Sequence, residues 1–423
     1  MEFDFPSVIV DLDSAEIKAG ISVGDTPTVT LPTVYSKTSP STFVFDDNID
    51  LHPENDVYTL FNDGVLYNWE AIPDYLRYIY GKLNVTENIK EMPLVVAENA
   101  WSPLRNKSKA LQIAFEELEV PIFSLLKRQI CTAYSLSKPS AVVVVDIEDD
   151  VVAVTPISNG RVLGKGMVRS KYGGDFLNVF SLNYIKNQLA AGHSPDSVED
   201  ALVPRQFQSS RDSLADTFKR YQITKSLRDF KECILSSSML KLEPSQTDIP
   251  RENQLGMAHG SGLLEAKDYE LPNRYTIKGI GIDQYKLAEP LFRPYEYATA
   301  LDPAKSLGVP RDAEGVGSLI FTSMKNLGGT GEMYVNLLNN IVITGSSAFI
   351  PMMEQRIIQD LRMYIQDYSI STYLAPDVID RNADTWVGAN ILTSSSVGDF
   401  EHLFISKQDY EENGESYAAD KFK

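Results

Sequence analysis

Cysteine is almost missing from this 423-residue chain, which has only Cys131 and Cys233. The two lie far apart in apolar-patterned segments, which excludes a disulfide framework and predicts buried, reduced thiols in an intracellular protein. Histidine is also scarce. His52, His193, His259 and His402 show no ligand spacing, so each reads as a surface or loop residue and no metal centre is expected. No apolar run approaches the roughly 18–20 residues of a membrane span, and the acidic start Met-Glu-Phe-Asp-Phe-Pro lacks a signal peptide's basic region. No membrane partner is therefore expected. Positive charge is in deficit as well, with a formal net charge of −19. Duplex nucleic acid demands clustered Lys and Arg, so direct DNA binding is not expected, whereas a basic partner would be attracted.

What the chain does have is core-forming material, 43% hydrophobic and 10% aromatic, over a length that predicts two lobes. Its organising stretch is Ala141–Gly160, where two β-branched runs flank the acidic turn Asp146–Asp150 and predict a buried β-hairpin. The N-terminus repeats the idea: Val8-Ile9-Val10 runs into Asp11-Leu12-Asp13-Ser14, and Ile17–Ile21 follows. Two hairpins with an aspartate at the end of the first strand predict two related halves around a cleft. Such a cleft suits a phosphate-bearing ligand, but phosphate turns need glycine so that backbone N–H groups can approach the anion. Here Asp13 and Ala15 stand in one turn, and Glu148 and Asp150 in the other. Asp146, Glu148, Asp149 and Asp150 offer oxygens to a hard cation, but alternate residues of a strand point to opposite faces, so a solvated hairpin tip is expected instead.

Along the chain, periodicity predicts helices over Asn68–Leu83, Asn106–Leu118, Arg128–Leu136, Phe176–Leu189, Leu227–Leu235 and Val316–Leu327, with another opening at Pro351. Strands are expected at Met92–Val96, Ile122–Leu126, Val162–Val168, Tyr275–Ile282 and Ile341–Thr344. This alternation is α/β grammar. Gly192–Arg211 reads as a surface excursion, and Glu243–Gly262 as a loop or insertion.

Several motifs resemble the actin superfamily from the first hairpin to the last thirty residues. Trp386-Val387-Gly388-Ala389, Ile405–Glu412 and Tyr269-Glu270-Leu271-Pro272 are similar to actin's Trp-Ile-Gly-Gly, Ile-Ser-Lys-Gln-Glu-Tyr-Asp-Glu and Tyr-Glu-Leu-Pro. Asp56–Leu60, Val168–Leu177 and Met353–Ile358 look further like the fungal actin-related proteins of the seventh class, with the fourth class as the alternative. The resemblance implies the actin-like α/β fold, with duplicated mixed-sheet lobes around a central cleft. Residues 1–138 and 385–423 would form the first lobe, with a small subdomain at about 32–70. Residues 139–384 would form the second, with one at about 178–270.

It also implies a nuclear subunit of SWI/SNF and RSC chromatin remodellers, paired with a ninth-class actin-related protein on the helicase-SANT-associated helix of the motor ATPase. By position, Asp11, Lys18, Asp146 and Gln129 match actin's phosphate side, Lys231 and Glu232 its adenosine side, and Gly345 a glycine under the base. With the turn glycines lost, the resemblance implies ATP or ADP held, if at all, by its adenosine end without hydrolysis. Two like charges about 4 Å apart cost on the order of 4 kcal/mol near a surface, enough to cancel much of a micromolar affinity of roughly 8 kcal/mol. Lys231-Glu232 reads equally as an ordinary exposed ion pair. Ser135, Arg161, Val397, Phe400 and Leu403 align with the groove in which actin takes amphipathic helices, while Phe400 and Phe404 suit a core role better. The shortened segment between Leu31 and Val57 implies a chain that does not polymerise. An actin-fold ATPase or kinase is the opposing reading.

Overall fold

The computed structural model describes residues 6–138, 140–207, 213–247, 266–328, 331–373, 378–394 and 401–422. Val397, Phe400, His259 and residues 248–262 of the expected loop lie outside the described residues.

Two central sheets carry the fold. In the first, the hairpin Val8–Leu12 and Glu16–Ile21 pairs antiparallel, with Asp11 opposite Lys18. Val8–Leu12 lies parallel to Leu94–Glu98, which lies parallel to Ile122–Lys127, and Phe404–Ser406 and Val29–Pro32 form the edges. The second sheet repeats the plan. The hairpin Ala141–Ile147 and Val152–Ser158 places Asp146 opposite Ala153, and Ala141–Ile147 lies parallel to Ile341–Thr344. The duplicated hairpin expected from the sequence is therefore present, with both aspartates at the same station.

The valine runs do not alternate with polar residues because both sheet faces are covered. Val143, Val145 and Ile147 pack into one large core with Val152 and Val154, while Val142 and Val144 pack with Ala133 and Val342 on the other face. In the first sheet, Val8, Val10 and Leu12 face one core, and Ile9 turns to Cys131 and Trp386. The helix Arg128–Ser135 contributes Cys131 to one of these clusters and Ala133 to another, so it packs against both sheets. Its neighbour is the helix Val378–Thr393, where a Cβ on Gly388 would stand 1.7 Å from the Cys131 carbonyl oxygen. Only glycine permits that approach.

Several expectations are corrected. Cys131 is buried but Cys233 is exposed, because the outward face of a long amphipathic helix carries it. Leu227–Leu235 is the second half of a helix spanning Asp216–Ile234. The polar segment after Gly192 contains the helix Val198–Leu202, capped by Ser197, and buries Val198, Ala201, Leu202, Val203 and Phe207. Its apolar residues supply core as well as surface. Val162–Val168 is two short strands, Arg161–Val162 and Val168–Ser170, separated by a turn. No helix among the described residues is long and apolar enough to cross a membrane.

The segment after Val34 closes across the cleft. Ile49 and Val57 share a cluster with Val203, Phe207, Leu214 and Phe218. Thr217 Oγ1 donates to Asp56 Oδ1 at 2.6 Å, and Gln222 Nε2 donates to Asp50 Oδ1 at 2.6 Å.

Candidate functional site

Ile122–Lys127 runs straight into the helix Arg128–Ser135, which delivers Arg128 and Gln129 to the floor of the cleft, at the carboxyl ends of the parallel strands. Arg128 is buried, and four carboxylates surround its guanidinium. Nε donates to Asp11 Oδ1 at 2.8 Å, and Nη1 donates to Asp13 Oδ1 at 3.2 Å. Asp146 Oδ2 and Glu148 Oε1 each lie 3.6 Å from a guanidinium nitrogen. Two of these acids come from the first hairpin and two from the second, so one side chain ties both halves. Burial works against the charge of Arg128, but the carboxylates outweigh it and hold its pKa well above the ordinary value.

Gln129 is fixed beside it. Its Nε2 donates to Asn99 Oδ1 at 2.9 Å and to Asp146 Oδ2 at 3.2 Å, while its Oε1 accepts from the Ala100 N–H at 3.0 Å. Lys18 is buried, and the carboxylates of Asp13, Asp11 and Glu16 overcome that burial to raise its pKa. The structure thus brings Asp11, Lys18, Gln129 and Asp146 together at the cleft floor, the positions the resemblance gave them. Asp11 and Asp146 are both raised, chiefly by burial, and Glu148 is raised well above the carboxylate range by burial and by Asp13.

The solvated hairpin tip is not found. Glu148 and Asp149 are buried. Asp149 accepts from Arg228 Nη2 at 2.8 Å and from Lys231 Nζ at 3.2 Å, and these cations overcome burial to lower its pKa. Asp150 accepts from the Gly64 N–H at 2.7 Å. The turn's acids therefore point to three separate sets of partners, and among the described residues no group of three or more His, Cys, Asp or Glu side chains is arranged to hold a metal ion.

Lys231-Glu232 is not an exposed ion pair. Lys231 is buried, bonded to Asp149 and, at 2.9 Å, to the Gly174 carbonyl, while Glu232 is exposed at the cleft. Adjacent residues on a helix point about 100° apart, and only one of them faces the core. Gly345 has φ 98°, and a Cβ there would meet the Ile147 backbone at 2.7 Å.

A cavity of about 260 Å³ remains above Arg128. In its lining the carboxyl groups of Asp11, Asp13, Glu16, Glu148, Glu232 and Asp384 outnumber Lys18, Arg128 and Arg228. Two backbone donors facing the cleft are already engaged: Ser14 N–H donates to Asp13 Oδ1 at 2.5 Å, and Ser346 N–H to Glu148 Oε2 at 3.1 Å. A triphosphate with its divalent cation does not fit this lining, because the chain's own carboxylates hold those amides and its own guanidinium fills the space between the carboxylates. Sequence reasoning passed over Arg128, Asn99 and Arg228. The available signal was an arginine at a strand-to-helix junction in a chain with surplus buried-patterned acids.

At the lobe junction, Ser135 Oγ donates to the Thr132 carbonyl at 2.9 Å, Arg161 is exposed, and Leu403 is half-buried against the cluster that holds Ile9, Cys131 and Trp386. Phe404 is buried in that cluster, as its pattern predicts.

A family model described as Actin matches residues 3–423. The chain belongs to the actin family. Among its actin-related relatives is "Actin-related protein 4" of Yarrowia lipolytica, 27% identical over 98% of this chain and 95% of its own. The "SWI/SNF and RSC complexes subunit arp42" of Schizosaccharomyces pombe is 26% identical over 97% of each chain. "Actin-related protein 7" of Saccharomyces cerevisiae is 28% identical over 96% of this chain and 95% of its own. These identities place this actin-family chain among the actin-related proteins but do not separate the seventh class from the fourth. The cleft described above is thus an actin-family cleft with a protein cation at its centre.

Proposed function

We propose that the chain is a non-catalytic, seventh-class actin-related subunit of a nuclear SWI/SNF- or RSC-type chromatin remodeller. In this reading it grips the helicase-SANT-associated helix of the motor ATPase together with a ninth-class actin-related protein, stiffens that helix and couples it to the motor. The observation that carries the scaffold role is Arg128. With its guanidinium among four carboxylates and the mouth latched around Phe218, the lobes are held together by the chain's own residues rather than by a ligand. The similarity to a protein named as a SWI/SNF and RSC subunit supports the assembly. The fourth-class similarity supports a second reading, a subunit of a histone-acetyltransferase or other remodelling complex. The segment between Leu31 and Val57 is spent on the mouth latch, consistent with a chain that does not polymerise.

The test is co-expression of the full chain with the ATPase helix and the second actin-related protein. Leu403→Asp and Arg161→Glu should each release the chain without changing its melting, Leu403→Asp by about 2 kcal/mol or more and Arg161→Glu mainly through on-rate and salt dependence. The intact assembly should show no steady ATP turnover attributable to this subunit. Full co-purification of both variants would overturn the groove assignment, and turnover abolished by Asp146→Asn would overturn the scaffold role.

A further inference from the structure

A second groove lies on the second lobe, away from the lobe junction, between the helix Gly174–Ala191 and the turn after Leu301. It encloses about 580 Å³ and is floored by Leu182, Leu189, Val198 and Leu301. That size is within the range of ligand-binding clefts. Leu177, Phe180, Ile185 and Leu189 of the helix Gly174–Ala191 belong to the core, and Leu182 packs against it. The groove floor is therefore the outer edge of that core, and Val179 is the apolar residue of the helix that stands outside it. Val179 remains 41% exposed and Leu307, on the opposite wall, 39%.

Leu307 has φ 51° and ψ 22°, the left-handed conformation that a leucine side chain disfavours. The turn around it is over-determined. Asp302 Oδ1 accepts from the N–H groups of Ala304 and Lys305 at 3.2 Å each, Ser306 N–H donates to the Asp302 carbonyl at 2.7 Å, and Val309 N–H donates to the Ser306 carbonyl at 2.8 Å. Glycine would relieve the backbone of this turn. A leucine held there presents an apolar side chain to whatever enters the groove. The rim is acidic: Asp196, Glu199 and Asp302 face one lysine, Lys186, and none of the three acids has an ion-pair partner among the described residues.

We infer that this groove docks a short basic amphipathic helix, its apolar side chains entering between Val179 and Leu307 and its Lys or Arg residues meeting Asp196, Glu199 and Asp302. Apolar anchors at i, i+3 or i+4 and i+7 match a floor built on a helix face, and opposite rim charge sets orientation and speeds encounter. The inference stands apart from the lobe-junction groove and does not depend on it.

The probe is a fluorescent Leu/Lys amphipathic peptide of about four turns, bearing a photo-crosslinker and titrated against the full chain. Cross-links should map to the face around Val179–Leu189 and to the turn at Leu307. Leu307→Gly should weaken binding about tenfold, the loss expected for one buried leucine contact, while melting stays level or rises because glycine accepts the left-handed backbone. Glu199→Lys should weaken binding and flatten its salt dependence. A Leu/Glu peptide should not bind. Affinity unchanged by both substitutions, or cross-links confined to the lobe junction, would overturn the inference. So would a dimer of the free chain that Leu307→Gly dissolves, since a second copy would then be the occupant.

Discussion

Arg128 Nε donates to Asp11 Oδ1 across 2.8 Å, and the two side chains are 6% and 2% exposed. Asp11 is the penultimate residue of the first strand of the chain, whereas Arg128 opens the helix that packs against both sheets. The contact therefore ties the first hairpin to the junction of the lobes, and the longer reach to Asp146 and Glu148 ties in the second hairpin. A buried ion pair adds little stability over an apolar replacement, but removing one partner strands the rest.

Arg128→Met should accordingly destabilise the chain by about 3–5 kcal/mol at neutral pH, because Asp11, Asp13, Asp146 and Glu148 lose their shared cation. The deficit should shrink towards pH 5. Asp11, Asp146 and Glu148 are already raised by burial, and without the guanidinium they rise further above their unfolded values, so their contribution is present at low pH and lost as pH rises. Urea unfolding at the two pH values measures this. A deficit independent of pH would show that the carboxylates do not share Arg128.

Asp384 makes a second, separable pH prediction. Its Oδ2 accepts from Thr344 Oγ1 at 2.8 Å and its Oδ1 from the Thr385 N–H at 2.6 Å, yet burial pushes its pKa up to about 7 from an ordinary 3.8. A raised carboxyl binds its proton more tightly folded than unfolded. Its stabilising contribution is therefore complete below about pH 4 and lost as pH climbs towards 7. Between about pH 5 and pH 7 the wild type should lose on the order of 2–3 kcal/mol through this group, and Asp384→Asn should abolish that part of the slope. Parallel pH–stability curves for the two proteins would contradict the assignment.

The mouth latch should be locally separable. Phe218 is fully buried, and its ring meets Phe207 edge-on at 5.0 Å within the cluster that includes Ile49 and Val57. Phe218→Ala should cost about 3–5 kcal/mol of local packing. Amide exchange should then quicken selectively in residues 46–57 and 214–225, with the two central sheets unchanged. Exchange that rises equally across the sheets would mean that Phe218 supports the whole lobe rather than the latch.

The β-branched runs around Val143 and Val8, the amphipathic periods of the major helices and the aspartates ending two matching strands were legible locally, since each depends on near neighbours in the chain. Trp386 and the Ile405–Glu412 motif carried the family for the same reason. Glycine-poor turns were equally plain as a composition fact. What those turns do was not legible. An acidic hairpin tip looks the same in sequence whether water or buried cations surround it, and Arg128, Arg228 and Lys231 reach Asp146–Asp150 from distant parts of the chain. The alternation of side chains along the turn sends Glu148 to one set of partners and Asp149 to another, which only the meeting of the lobes can settle. Gln129 was identified and its neighbour Arg128 was not, because a charge acquires its role from the field around it, and that field exists only after both hairpins have closed on the same helix.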